Sequence, residues 1–129
     1  CEPKACFQAG EDVLVELVDE AQVRELQPDV VALKRLPLRG LIVTAASSQA
    51  PADFVSRFFA PGVGIDEDPV TGSAHCALAP YWAERLGRRQ LTGYQASARG
   101  GWVEVCWRGD RVELGGTAVT TLRGHCHGE

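Results

Sequence analysis

Residues 62–88 read GVGIDEDPVTGSAHCALAPYWAERLGR, and the way this stretch divides decides the fold. Gly62-Val63-Gly64-Ile65 is a flexible lead-in. Asp66 to Ser73 is an acidic turn that carries glycine and hydroxyls. Ala74 to Leu86 then reads as a helix, with Ala74, Cys76, Ala77, Leu78, Ala79, Tyr81, Trp82, Ala83 and Leu86 apolar. Apolar residues occupy nearly every side of its first half, which predicts a buried helix rather than one laid on a surface. Glu84, Arg85, Arg88 and Arg89 gather at the far end, where the helix emerges into water. Gly87 is its stop. Pro80 removes one hydrogen bond inside it and predicts a bend.

The junction between turn and helix carries the functional argument. A helix N-terminus exposes unpaired N–H groups and the positive end of the macrodipole. Gly72 lets a ligand approach the backbone, and Ser73 or Thr71 can cap the helix or donate to the ligand. A carboxylate or phosphate would sit well there. Asp68 would repel a bare anion, yet it suits general acid or base chemistry beside a bound carboxylic acid, because nearby negative charge or burial raises a carboxyl pKa. Asp68-Pro69 and Thr71-Gly72 also fit a plain turn and N-cap.

Upstream, Cys1 to Asp12 reads as a leader, the cut end of an interdomain linker. Val13 to Val18 is a strand that alternates poorly, as if both faces were covered. Asp19 to Leu26 follows as a short helix, with Asp19 as N-cap, Gln22 three residues on and Pro28 beyond it. Asp29 to Arg35 holds a second helical turn, and Pro37 and Gly40 break the chain again. Leu41 to Ala46 is a β-branched strand, and Asp53 to Phe59 another. Arg57 in that strand either salt-bridges, meets solvent or holds a substrate carboxylate. Downstream lies a glycine-punctuated meander: Leu91 to Ser97, Trp102 to Trp107, Arg111 to Leu114 and Thr117 to Leu122. Short strands with glycine turns make a curled antiparallel sheet. The fold class is therefore α+β, a mostly antiparallel β-roll or barrel around one helix of about Ser73 to Leu86.

The chain has 129 residues, enough for one domain with a real core. A net charge of −4 without an extended basic run argues against nucleic acid as a partner. No apolar run reaches membrane-spanning length and no signal peptide is visible, so a cytoplasmic placement is expected. None of the five cysteines forms a CxxC pair. His125-Cys126-His127 is a poor metal site at a chain end, and no native metal is expected. Cys76 reads as a core thiol, and His75 as a satisfied core histidine before a functional one.

Arg57-Phe58-Phe59-Ala60-Pro61, then Gly64-Ile65-Asp66-Glu67-Asp68-Pro69-Val70-Thr71-Gly72-Ser73-Ala74, resembles the signature of PhzF-like proteins, the phenazine-biosynthesis isomerases and their relatives. The similarity continues through Gln95-Ala96-Ser97-Ala98-Arg99-Gly100-Gly101 to about Arg123. The resemblance implies the diaminopimelate-epimerase fold: two similar lobes, each a sheet wrapped on a central helix, with the active site between them. It implies no cofactor and no metal. It implies isomerisation or epimerisation of a small carboxylate-bearing substrate by proton transfer between carbons, with Asp68, Gly72 and Ser73 contacting that substrate. Related amino-acid epimerases carry a catalytic cysteine where this chain has Thr71, which disfavours a thiol-based racemase. In the family the principal glutamate and an assisting histidine belong to the first lobe, and this chain has no candidate for either motif. It reads as the second lobe alone, spanning residues 1–129.

Asp68 is the acid/base candidate, Glu67 the neighbour to test, and Gly72, Ser73 and Thr71 the substrate-binding set. The alternative is a catalytically incomplete, anion-binding module that pairs with a missing lobe or with itself, since a lone lobe exposes an apolar face. The isolated chain is expected to be inactive. A hot-dog-like thioesterase also wraps a sheet on a helix, but the EDPVTGSA run does not support it.

Overall fold

A computed structural model describes residues 3–128. Eight strands form one sheet: β1 (Ala5–Ala9), β2 (Asp12–Glu16), β3 (Gly40–Ala46), β4 (Phe54–Ala60), β5 (Ile65–Asp68), β6 (Gln90–Gln95), β7 (Gly101–Trp107) and β8 (Val112–Gly115). The order is β1-β2-β3-β4-β6-β7-β8, with β5 paired to β4. Most neighbours run antiparallel; β2–β3 and β4–β6 are parallel. Parallel neighbours need a crossover, and each crossover here holds helix. The first contains α1 (Glu20–Glu25) and α2 (Val30–Leu33); the second contains β5 and α3 (Gly72–Leu86).

The two crossovers give the sheet a core on each face. On one side α3 supplies Ala74, Leu78, Ala79, Trp82 and Ala83, which pack on Leu14, Ile42, Phe54, Phe58, Leu91, Val103 and Val105. These sheet residues come from five strands, so the sheet curls round a single helix. Trp82 stacks on Phe54 and donates its indole N–H to the Thr44 hydroxyl at 3.0 Å, which satisfies the polar tip inside an apolar layer. On the other side α1 delivers Val23 onto Leu17, Val43, Ala45, Val55 and Phe59. Strand β4 lies between both layers, and every one of its residues is buried.

The local signals worked where their chemistry was satisfied. Asp19 caps α1 by accepting the Gln22 N–H at 2.9 Å, and Asp29 caps α2 by accepting that of Ala32. Gly87 closes α3 at φ 67°, a left-handed position that suits a residue without Cβ.

Four expectations are corrected. The supposed leader contains β1, which pairs with β2 from Ala5↔Glu16 to Ala9↔Asp12 around a tight turn. The acidic turn is half strand: Ile65–Asp68 pairs with β4, and the lead-in is a single 3-10 turn over Pro61–Val63. No strand forms over 117–122; this segment is exposed and irregular. Last, α3 is buried on one side rather than all round. Ala74, His75, Leu78, Ala79, Trp82 and Ala83 make its buried stripe, while Cys76 is exposed instead of a core thiol. The sheet is open between β1 and β8, so it covers only part of the helix. A groove of about 400 Å³ remains between α3 and β1, lined by Phe7, Leu14, Ala77, Pro80 and Tyr81 among others. Pro80 sits on that open side and α3 continues through it.

Candidate active site

Strand β5 delivers Asp68 to the head of α3. Its register opposite Phe58 fixes where the strand ends, and the chain turns through Pro69 and Val70 into Thr71, the N-cap residue. Alternation along a strand sends successive side chains to opposite faces. Glu67 therefore points away from Asp68, and Arg57 binds both of its carboxylate oxygens at 2.7 and 2.9 Å. The same guanidinium donates to the carbonyls of Val23 and Leu26 at 3.2 and 2.7 Å, which ties the end of α1 to the sheet. Arg57 is thus buried and fully engaged, neither solvated nor free to hold a ligand. Glu67 is its structural partner.

Asp68 keeps a half-buried carboxylate at the site. The Thr71 hydroxyl donates to its Oδ2 at 2.5 Å. Thr71 consequently makes no side-chain cap on α3, although it occupies the capping position. The N–H groups of a helix's first turn have no intrahelical acceptor. Gly72 and Ser73, two of the residues that carry them, are exposed, while Ala74 is buried. The site thus combines a carboxylate with an open, positively polarised helix terminus.

A residue to which the sequence assigned no role at the site holds this loop together. Gln95, fully buried at the end of β6, accepts the Thr71 N–H at 2.8 Å through Oε1. Its Nε2 donates to the Asp68 carbonyl at 2.7 Å and to the Thr71 hydroxyl at 3.1 Å. The Thr71 hydroxyl thereby receives from Gln95 and gives to Asp68, so its proton has a defined direction. Ser97 reinforces the loop by donating to the Pro69 carbonyl at 2.8 Å. Gly101 lets the next turn close over it, because a Cβ there would fall 2.2 Å from Val70 Cγ2. A buried glutamine beside a glycine turn is the signal that was available, but a side chain reaching 24 residues back along the chain leaves no local pattern.

His75 is a core residue. Its Nδ1–H donates to the Thr71 carbonyl at 2.8 Å, while Nε2 is buried against Gly93 and Phe54 without a hydrogen-bond partner. Burial lowers its pKa and keeps the ring neutral. Among the described residues no group of three or more His, Cys, Asp and Glu side chains is placed to hold a metal ion. His125, Cys126 and His127 lie on the exposed, irregular tail. No described helix is long and apolar enough to cross a membrane.

A sheet curled on one helix, with the helix N-terminus opening beside a strand-borne aspartate, is one lobe of the diaminopimelate-epimerase-like fold. Residues 1–124 match the family model of phenazine biosynthesis-like proteins, PhzC-PhzF, and the chain belongs to that family. It is 55% identical over 122 residues to an "uncharacterized isomerase" of Pseudomonas aeruginosa, which covers 95% of this chain and 46% of that protein. A second protein so named, from Halalkalibacterium halodurans, is 49% identical over 87% of this chain and 42% of its own length. A crystal structure of a PhzF-family protein from Enterococcus faecalis superposes with a TM-score of 0.84 at 44% identity, over 90% of this chain and 44% of that one. A putative PhzC/PhzF protein from Clostridium difficile gives 0.85 at 36% identity, over 98% and 48%. The chain spans about half the length of the curated relatives it matches.

Proposed function

We propose that this chain is the second, substrate-holding lobe of a cofactor-independent isomerase that moves a proton between carbons of a small carboxylate-bearing substrate. The observation that carries the reading is the braced loop at the head of α3: Asp68 fixed by Thr71 and Gln95, next to exposed Gly72 and Ser73. The helix terminus takes the substrate's carboxylate, and the Ser73 hydroxyl adds a donor. Asp68 exchanges or orients the proton at the neighbouring carbon, which needs a carboxyl within hydrogen-bond reach of that carbon's hydrogen. A second acid/base group comes from the remaining half of the protein, in line with the relatives' greater length and with the names they carry. The open side of α3 and the gap between β1 and β8 suit cover by further chain or a second copy. Exposed Phe7 and Leu114 mark the two edges of that gap.

The test is an amide-resolved NMR titration of this chain with benzoate, alongside Asp68→Ala. Saturable shifts centred on Gly72 and Ser73, altered by the substitution, support the reading. Shifts spread over the surface or absent at millimolar benzoate refute a formed half-site in this lobe.

A further inference from the structure

Ser73 is not alone at the head of α3. Arg39, the residue before β3, donates through Nη2 to the Ser73 hydroxyl oxygen at 3.1 Å. The same guanidinium is clamped by Asp12: Nε donates to Oδ1 at 2.9 Å and Nη2 to Oδ2. Asp12 is buried at the start of β2, so one end of the clamp is anchored in the sheet. The guanidinium carbon lies over Phe58, 5.9 Å from the ring centroid. Gly40 makes this packing possible, because a Cβ there would fall 2.3 Å from the Phe58 ring and 3.0 Å from Asp12 Oδ1. Hydrogen bonding to Asp12 raises the Arg39 pKa further, so the charge is permanent.

Two consequences follow from donor and acceptor counting. A serine hydroxyl has one proton to give. With Arg39 donating to its oxygen, the Ser73 proton is left to point elsewhere, toward whatever occupies the helix terminus. Arginine has five N–H donors. Asp12 and Ser73 engage Nε and Nη2, and among the described residues nothing accepts from Nη1. The Arg39 side chain is 39% exposed, so those donors are reachable. The helix terminus is therefore flanked asymmetrically, by a cation on the Ser73 side and by the Asp68 carboxylate on the Thr71 side.

We propose that Arg39, held by Asp12, is a positioning residue of this site: it sets Ser73 as a donor and makes the site select a carboxylate over a neutral group of the same shape. This rests on the carboxylate-binding reading given above. The cation also offsets the repulsion that Asp68 exerts on an incoming anion, and it orients the substrate so that its carboxylate turns toward Arg39 and its reacting carbon toward Asp68.

The experiment compares benzoate with benzamide, an uncharged isostere, by NMR titration of the wild-type chain, Arg39→Lys and the double variant Arg39→Gln with Asp12→Asn. The double variant keeps a polar pair in place of the ion pair, so no buried carboxylate is stranded; thermal melts confirm that each variant is folded. The expected result is a loss of about tenfold in benzoate affinity for the double variant, with benzamide binding unchanged, and partial rescue by lysine. A loop merely loosened by the substitutions would weaken both probes alike, and that outcome overturns the proposal. So does equal benzoate binding in all three proteins. Failure of the wild type to bind benzoate at Gly72 and Ser73 overturns the carboxylate reading itself, and this proposal with it.

Discussion

Gln95→Leu is the sharpest structural perturbation of the site. Leucine has nearly the volume of glutamine, so the core around β6 stays filled while three hydrogen bonds vanish. Two of them serve backbone groups, the Thr71 N–H and the Asp68 carbonyl, and the third serves the Thr71 hydroxyl. Each bond contributes about 1 kcal/mol net, and a buried donor left without a partner costs a further 1–3 kcal/mol or so. Thr71 is itself buried, so water cannot readily replace the lost acceptor. The expected destabilisation is about 4–6 kcal/mol, a large share of the roughly 5–15 kcal/mol that holds a domain folded. Urea unfolding of the wild type and variant reads it directly, with an unchanged m-value showing that the denatured state is not what moved. Hydrogen exchange at Thr71 locates the loss. A destabilisation below about 1 kcal/mol, or a Thr71 amide that stays protected, would refute Gln95 as the brace of the loop.

Further predictions concern the anchors on either face. Glu67→Gln strips the buried Arg57 of its carboxylate partner and is expected to cost about 1–3 kcal/mol by denaturant unfolding, with no effect on benzoate binding because Glu67 faces away from Asp68. Trp82→Ala empties the layer between Phe54 and Thr44 and is expected to cost about 3–5 kcal/mol. Glu20 is buried, which would raise its pKa; the Ser48 N–H, Arg24 and the hydroxyls of Ser47 and Ser48 outweigh that and hold it at about 2. Its folded pKa lies below its ordinary value of 4.5, so its contribution is fully present above that pH and is lost as the pH falls toward about 2. A Glu20→Gln variant is accordingly less stable than the wild type at pH 7 by about 2–3 kcal/mol, and the two unfolding curves converge near pH 2.

Much of the fold was legible because the deciding signals are local. Asp19 and Gln22, Gly87 and the β-branched run Ile42-Val43-Thr44 each speak within one or two turns of chain. The errors came where the sheet, not the segment, decides. Ala5–Ala9 is an edge strand whose residues are mostly exposed, so it shows no apolar alternation, and only pairing with β2 makes it a strand. Asp66 to Asp68 looks like a turn by composition; its extended form comes from the β4 edge. The apolar wrap of α3 predicted burial on all sides, but Cys76 is exposed, and Ala77 and Pro80 line the groove beside β1. At the candidate site, Asp68, Thr71, Gly72 and Ser73 fall within one six-residue run, so the sequence names them side by side. Gln95 and Arg39 reach them from 24 and 34 residues away, and that kind of proximity exists only in three dimensions.

If the head of α3 beside Asp68 is a carboxylate site, a crystal structure of this chain grown with benzoate shows the ligand there. The benzoate carboxylate is expected within hydrogen-bond distance of the Gly72 and Ser73 N–H groups, between Arg39 and Asp68, with Thr71 still donating to Asp68. Benzoate found elsewhere with this terminus empty, or a Thr71 hydroxyl turned back to cap α3, would contradict it.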